Sequence, residues 1–359
     1  MKKLSTQSSV HAISAVHSIG LDIAKNSFSA HGFDVEGKTV LTKTLKRHEV
    51  LAYFEAQPHC RVGLEACASA HYWGRELGKL GHEVKLIAPS RVKAFAARQK
   101  NDATDAMAIA RALRDPEMRF VPVKQVEAQA TLMLFKARDL LVAQRTMLIN
   151  ALRGHFSEVG VITPIGAQHV KPLVERVESD SSSLPALMRE ALAPLVTSLA
   201  NLELAITSLN RSINKVYAKD EQAKRLSDVP GIGVLIATLL SATVTDAKSF
   251  ASGREFAAWI GLVPRQHSTG GKPRLGHISK MGNRDLRRLL VVGAIAALAR
   301  MKHSTVPTPV GQWARKLLAK KPFRLVAVAL ANKMARTAWA LMAKGVTYSV
   351  ATKPAAVAG

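Results

Sequence analysis

Four acidic residues in the first third of the chain have the types and spacing of a metal site. Asp22 lies inside an apolar alternating run, and Glu65 ends a second such run. Asp102 and Asp105 stand three residues apart at the start of a predicted helix, so they share one helix face. If all four converge, each pair of carboxylates at ~4 Å repels by roughly 4 kcal/mol at an effective dielectric of 20, and the cluster needs cations. Oxygen-only ligands select Mg²⁺ or Mn²⁺, and two such ions support in-line displacement at phosphorus.

The helix pair also has a simpler interpretation. Asn101 or Asp102 can cap the helix, and Asp105 is favourable in the first turn, near the positive end of the helix dipole. For this helix alone, the two interpretations are equally good. Asp22 is harder to explain in this way, because an ionised Asp inside an apolar strand is costly without a partner. The four residues together predict a carboxylate-based site.

The elements that must position these acids alternate between strands and helices. HSIGLDIA, CRVGLEA and HEVKLIAP are predicted strands, and FSAHGFDVEGKTVLTKTL supplies two more with a turn at Glu36 and Gly37. HYWGRELGKLG is amphipathic and predicts a helix that ends at Gly81. The alternation predicts an α/β fold over residues 17–113.

The middle of the chain predicts long helices. Residues 123–153 contain no Gly or Pro, which predicts one continuous helix. Further on, apolar residues recur at intervals of four and three over three heptads: Leu195, Leu199, Leu202, Ile206, Leu209, Ile213 and Val216. This pattern predicts a coiled coil or helical hairpin, and an ordinary amphipathic helix explains it equally well. ESDSSSLP, between the two helices, is a predicted surface linker.

The charge of the chain indicates a polyanionic partner. The 359 residues include 51 Lys and Arg against 26 Asp and Glu, a formal charge of +25. Basic side chains on phosphates release condensed counterions, so nucleic acid is the leading partner. Residues 286–359 contain thirteen basic residues and no acidic residue. A carboxylate site cannot be built from this segment, which must act by binding or support.

The sequence favours a cytoplasmic protein without a membrane span. Residues 229–245 are free of charged residues, but this run of 17 is at the lower limit for a span and contains one proline and two glycines. The N-terminus is too weakly apolar for a signal-peptide core. Cys60 and Cys67 form no CxxC pair, so we interpret them as two reduced core cysteines and predict neither a disulfide nor a zinc site.

Two segments near the C-terminus could contact phosphates. VPGIGVLIATLL resembles the turn of a helix-hairpin-helix module, in which Gly231 and Gly233 would expose amide groups to a phosphate. An ordinary Pro-Gly turn into a buried helix is the simpler alternative. The second segment, PRQHSTGGKPRLGHISKMGNRDLRR, interleaves glycines with seven candidate phosphate-binding cations: Arg265, Lys272, Arg274, Lys280, Arg284, Arg287 and Arg288. Ser268 and Thr269 lie in its middle, as phosphate ligands or as a nucleophile toward phosphorus; the residues alone favour phosphate ligands.

The chain resembles the DEDD transposases of bacterial insertion sequences, a class described as bridge-RNA-guided recombinases. The resemblance is carried by the four acidic residues, by PGIG, by FAAWIGLVPRQHSTGGKPRLGHISKMGNRDLRRLL and by the basic helical tail. GLDIA, GLEA and NDATDA match the four acidic positions of that family at Asp22, Glu65, Asp102 and Asp105. Counting back from ISK places the family's catalytic serine on Ser268, whereas counting forward from GLVPR lands on Thr269. We favour Ser268, because a primary hydroxyl is less hindered.

The resemblance implies three domains and a reaction. Residues 15–122 would form a RuvC-like, ribonuclease-H-type α/β domain, residues 123–222 a helical coiled-coil segment, and residues 223–359 a mainly α-helical transposase domain with a helix-hairpin-helix and the serine. The serine would attack a DNA phosphodiester and form a phosphoserine intermediate, with Mg²⁺ (or Mn²⁺) held by the four acids. A structured guide RNA from the same element and a homo-oligomer, dimer or tetramer, are further implied partners. The protein would be bacterial and associated with the nucleoid when it acts.

Two other functions fit parts of the sequence. A metal-dependent nuclease or junction resolvase would use water as the nucleophile, and Ser268 would only hold a phosphate. A non-catalytic protein that packages RNA or DNA would use the hairpin and the basic tail and would not need Asp102 and Asp105.

Overall fold

The computed structural model describes residues 16–96, 101–179, 184–267, 269, 272, 274–303 and 308–349. The chain forms two compact units, Met1–Val126 and Glu127–Gly359, here called the first and the second unit. The finer division at residues 122 and 222 stays a prediction.

The first unit is built on a six-stranded mixed sheet. Its described elements, in chain order, are β1 Ser18–Ile23, β2 Ser27–Phe33, β3 Thr39–Lys46, α1 Val50–Glu55, β4 Arg61–Glu65, α2 Ala70–Lys79, β5 Glu83–Ile87, α3 Pro89–Val92, α4 Asp102–Arg114 and β6 Phe120–Val121. The strand order is β3-β2-β1-β4-β5-β6, in which β1, β4 and β5 are parallel and the other neighbours antiparallel. The five predicted strands and the α/β class are confirmed.

The two faces of the sheet are covered differently. One face carries Ile19, Leu21 and Leu64, which are fully buried in the main core of this unit. The other face lies under α4, and a Cβ atom at Gly20 would overlap the carbonyl oxygen of Ala106. Glycine is therefore needed at position 20 because the helix backbone lies directly on β1.

The second unit is mostly helical. Its described elements are α5 Val126–Ser157, α6 Lys171–Glu178, α7 Ala186–Lys219, α8 Glu221–Ser227, α9 Val234–Thr243, α10 Gly253–Ile260, β7 Pro264–Gln266, β8 Leu275–Ile278, α11 Arg284–His303, α12 Pro309–Leu318 and α13 Phe323–Lys344. The predicted long helix is confirmed as α5, which spans 32 residues.

The heptad residues of α7 face its neighbours. Leu199, Ile206 and Ile213 are buried, and the four remaining positions are partly buried. Ordinary helix packing gives the same burial, so the coiled coil stays a prediction. Among the described residues, α7 is also long and apolar enough to cross a membrane. An 18-residue stretch of α7 has a mean hydropathy of 1.4, and 22% of that stretch is buried. One such helix is weak evidence for a span.

Helices α8 and α9 are joined by the predicted glycine turn. Gly231 has a φ of +95°, and a Cβ atom there would lie 2.9 Å from the Cε atom of Met334 and 3.1 Å from the carbonyl oxygen of Gly293. The turn is thus held against α11 and α13, which keeps its conformation fixed. Gly233 is exposed, with open space where a side chain would be.

Candidate functional site

The strand register brings Asp22 and Glu65 side by side. Leu21 pairs with Leu64 in the parallel β1–β4 ladder. Asp22 and Glu65 are the next residues of the two strands, so they are neighbours across this ladder. Neighbouring strands lie about 4.8 Å apart. Asp22 also pairs with Ser29 on its other side, in the antiparallel ladder with β2.

Helix α4 brings the other two acids to the same face. Gly20 and Asp22 point to one side of β1 because side chains alternate along a strand. Gly20 lies under Ala106, and Asp102 and Asp105 stand in the first turn of the same helix. The four predicted ligands therefore meet where β1 and β4 end and α4 begins.

Asn101 caps α4 and leaves both aspartates available. Its side-chain oxygen accepts a hydrogen bond from the amide of Thr104 at 2.8 Å, and the Thr104 hydroxyl accepts one from the amide of Asn101 at 3.0 Å. This reciprocal pair is a capping box. Asn101 is thus the cap, and Asp102 and Asp105 stand in the first turn, as the simpler interpretation also allows; neither carboxylate is used by the cap.

The charges of the cluster act on Asp22. Burial, followed by the charges of Asp105, Asp102 and Glu65, raises the pKa of the Asp22 carboxyl to about 6, against a lowering hydrogen bond from the backbone of Ile23. Like charges shift a pKa in this way only when they are close. The charges of Asp105, Asp102 and Glu65 reach Asp22, so the four carboxylates lie near one another.

The donors in this cluster fit a hard divalent cation by their chemistry. They are all carboxylate oxygens, the ligands that Mg²⁺ and Mn²⁺ prefer. Within the described part of the chain, however, no three Asp, Glu, His or Cys side chains are already arranged to enclose an ion. Asp102 is exposed, and Asp105 is only partly buried. Their exposure leaves both carboxylates accessible to a cation from solvent.

The predicted hydroxyl site lies on an exposed β-ribbon of the second unit. Strands β7 and β8 are antiparallel; the amide of His267 donates to the carbonyl of Arg274 at 2.8 Å, and Thr269 pairs with Lys272. Ser268 lies outside the described residues. Its chain neighbours His267 and Thr269 are both exposed, as are Lys272 and Arg274.

Comparison with known proteins decides the family. Residues 19–161 match a transposase model for the DEDD domain of IS110, and residues 223–309 match the model described as Transposase IS116/IS110/IS902 family. The chain is 46% identical over 332 residues to the "Probable family 20 transposase" of Pseudomonas aeruginosa, covering 92% of this chain and 98% of the relative. It is 38% identical to the transposase for insertion sequence element IS1328 of Yersinia enterocolitica, covering 92% and 98%. It is also 38% identical to the transposase for IS1111A of Coxiella burnetii, covering 92% and 90%.

The chain belongs to the IS116/IS110/IS902 transposase family. The resemblance drawn from its motifs is confirmed, and with it an RNase H-like α/β fold for the first unit. Transposases of this family are DNA-cleaving and recombining enzymes that are expected to bind DNA. DEDD-type transposase domains typically depend on divalent metal ions.

Several of the seven candidate cations already bind groups of the transposase's own fold. Arg287 donates to the carbonyl of Ile260 at 2.8 Å, and Arg288 pairs with Asp139 of α5 at 2.6 Å. The other five are exposed: Arg265, Lys272, Arg274, Lys280 and Arg284. Arg265 also donates to the carbonyl of Ser279 at 3.3 Å. Their exposure leaves these five accessible to DNA, and Arg287 and Arg288 bind protein groups that hold α11 in position.

The ribbon is anchored at its base by two glycines. Gly261 has a φ of +84° and Gly282 a φ of +87°. A Cβ atom at Gly261 would overlap the carbonyl oxygen of Met281, and one at Gly282 would overlap that of Trp259. The two chain segments therefore cross at close range, which sets the direction in which the ribbon leaves the helices.

Cys67 corrects one sequence prediction. Cys60 is buried as expected, but Cys67 is exposed because it follows the end of β4 in the loop before α2. Burial, with the charges of Glu65 and Asp22, raises the pKa of its thiol, so Cys67 borders the acidic cluster. Sequence analysis also missed Gly20, although a glycine inside a predicted strand signals close approach of another backbone.

Proposed function

We propose that this transposase cuts and rejoins DNA by transesterification, with Ser268 as the nucleophile and with Asp22, Glu65, Asp102 and Asp105 as ligands of Mg²⁺, or of Mn²⁺. The observation that supports the proposal is the approach of the four carboxylates where β1 and β4 end and α4 begins, close enough for the charges of the other three to act on Asp22. When bound, the metal would supply positive charge to the phosphate that is attacked. The exposed cations of the ribbon would hold the DNA backbone beside Ser268.

The reaction balances without an external energy source. The Ser268 hydroxyl oxygen forms a bond to phosphorus, and the bond from phosphorus to one deoxyribose oxygen breaks. The hydroxyl proton passes to the departing oxygen. One phosphodiester has replaced another, so a deoxyribose hydroxyl of the exchanged strand can reverse the step and rejoin the DNA.

A covalent intermediate tests the nucleophile. With a DNA substrate that carries an end of the mobile element, the wild type is expected to form a protein–DNA adduct that survives denaturing electrophoresis. Ser268→Ala is expected to reduce the adduct by more than about 10³-fold, because the attacking oxygen is lost. Thr269→Ala is the matched control and should keep the adduct; the reverse result would assign the nucleophile to Thr269. Cleavage that continues without an adduct would instead support the nuclease or junction resolvase that uses water.

A structured RNA and a second protein chain complete the proposed complex. The resemblance to bridge-RNA-guided recombinases supports an RNA that chooses the target, and a charge of +25 can serve two polyanions. The four acids and Ser268 lie in different units. A homo-oligomer, dimer or tetramer, in which one chain's acids act with another chain's serine is therefore part of the proposal.

RNA binding has a direct test. The chain, expressed together with the natural flanks of its gene, is expected to copurify with one discrete RNA that maps to a flank, because a specific complex protects a defined sequence. Sequencing of the bound RNA measures this. A preparation expressed without the flanks is the control and should contain only unspecific cellular RNA. The same unspecific RNA in both preparations would count against a guide.

A further inference from the structure

The edge strand β3 presents a polar row beside the acidic cluster. Thr42, Thr44 and Lys46 are exposed and alternate along the strand, so their side chains share one face. Leu45 points to the opposite face, where it is buried in the main core of the first unit. Lys43 shares that opposite face, with its ammonium group 4.6 Å from the centre of the Tyr53 ring.

The sheet register connects this row to Asp22. Asp22 pairs with Ser29 of β2, and Ser29 pairs with Thr44 of β3. Directly paired residues lie on the same face of a sheet. Two strand spacings give about 10 Å from Asp22 to Thr44, and Lys46 follows about 7 Å further along β3. Thr44, the middle residue of the polar row, is thus separated from Asp22 by the one side chain of Ser29, and Lys46 lies farther out along β3.

The chemistry of the row suits a phosphate backbone. It offers two hydroxyl groups and one ammonium group, and β3 contains no acidic residue. On the neighbouring strand β2, His31 is buried and pairs with Thr42. Its two ring nitrogens lie 3.4 Å from the Thr42 hydroxyl and 3.2 Å from the Thr39 hydroxyl. Burial and the charge of Arg111 lower the pKa of His31. A neutral imidazole donates to one hydroxyl and accepts from the other, which orients these threonines along the strand.

We propose that Thr42, Thr44 and Lys46, here called the β3 track, bind the sugar–phosphate backbone of the DNA strand next to the phosphate that is cut. The inference rests on the proposed function, since it assumes that the cut phosphate lies at the acidic cluster. Contacts of this kind fix the position of a strand and carry no sequence information. The β3 track therefore positions DNA, and target choice lies elsewhere.

The two lysines of β3 provide a matched test. Lys46→Gln and Lys43→Gln each remove one positive charge from the same strand, on opposite faces. With EDTA present, Lys46→Gln is expected to weaken binding of DNA about three- to tenfold at low salt and to reduce the slope of log K against log salt by about one. Lys43→Gln should leave the slope unchanged. Equal slopes for the two variants would overturn the proposal.

Lysine protection provides an independent measurement. When the full-length wild type is acetylated with and without bound DNA and read by mass spectrometry, Lys46 is expected to be protected severalfold and Lys43 not at all. Protection of both or of neither contradicts the β3 track. Protection of Lys46 by RNA of the same sequence, but not by DNA, would also overturn it.

The two proposals fail separately. Binding and protection in EDTA require neither metal nor Ser268, so they report on the β3 track alone. The covalent adduct of the wild type reports on the proposed reaction. An adduct together with unprotected Lys46 would support the proposed reaction and contradict the β3 track. Protected Lys46 without any adduct would support the β3 track and contradict the proposed reaction.

Discussion

Asp22→Asn is expected to abolish strand cleavage and, at the same time, to stabilise the metal-free transposase. Burial and the charges of Asp105 and Asp102 raise the pKa of Asp22 to about 6, from an ordinary value of 3.8. The folded state therefore binds this proton more tightly than the unfolded state does. The free energy of unfolding that Asp22 contributes is highest below pH 4, falls between pH 4 and 6, and stays low above pH 6. Asparagine has nearly the same shape as aspartate but no charge, so the variant does not lose this free energy of unfolding as the pH rises.

The size of the stability change follows from the pKa shift of Asp22. The full shift corresponds to at most about 3 kcal/mol, and solvent around this partly exposed side chain reduces the figure to roughly 1–2 kcal/mol. Thermal unfolding in EDTA at pH 8 should show a Tm about 2–5 °C higher for Asp22→Asn than for the wild type. At pH 4 the two should unfold together. Mg²⁺ should raise the Tm of the wild type and have little effect on the variant, since binding to the folded state stabilises it.

Glu55→Gln serves as the control for Asp22→Asn. Glu55 is an exposed residue at the end of α1 in the same unit, so its loss of charge should change neither the Tm nor cleavage. An Asp22→Asn variant with the wild-type Tm at pH 8 would show that Asp22 carries no repulsion. A variant that still cleaves DNA would remove Asp22 from the proposed metal site.

Local sequence patterns predicted the parts of this molecule that depend on neighbouring residues. The alternation around Asp22 predicted β1, and the absence of Gly and Pro predicted α5. The Asn101 cap was visible as a polar residue just before a helix. The convergence of Asp22, Glu65 and the helix pair could be expected only together with a cation, because carboxylates repel one another and a buried charge is costly without a partner of opposite charge.

Contacts between distant residues could not be predicted in this way. Arg288 is predicted to contact phosphate, and no local pattern indicated its ion pair with Asp139, which lies 149 residues earlier in the chain. Cys67 looked like a core residue because the exact end of β4 was unknown. The heptads of α7 specify an apolar stripe, yet the same stripe suits a neighbouring helix or a second chain. The partner of Arg288, the exposure of Cys67 and the surface that covers α7 all depend on which surfaces pack together, and local sequence patterns do not determine that.

Gly20→Ala is expected to separate the two halves of the acidic cluster. A Cβ atom at position 20 would overlap the carbonyl oxygen of Ala106 and the amide nitrogen of Ala110. Both are backbone atoms, which cannot rotate away, so α4 must move off β1. Overpacking of this kind costs about 1–3 kcal/mol. The shift also moves Asp102 and Asp105 away from Asp22, and a displacement of about 1 Å can reduce a rate about 10²-fold.

Gly78→Ala is the matched control for Gly20→Ala. Gly78 lies in α2 of the same unit, and a Cβ atom there would meet nothing within 4 Å. Since alanine favours a helix over glycine, this variant should be more stable by about 0.5–1 kcal/mol and should cleave normally. Thermal unfolding and cleavage rates, measured where each variant is folded, separate the two effects. Wild-type cleavage by a folded Gly20→Ala protein would show that the four acids need not be held together by α4, and that the acidic cluster is not the centre of the reaction.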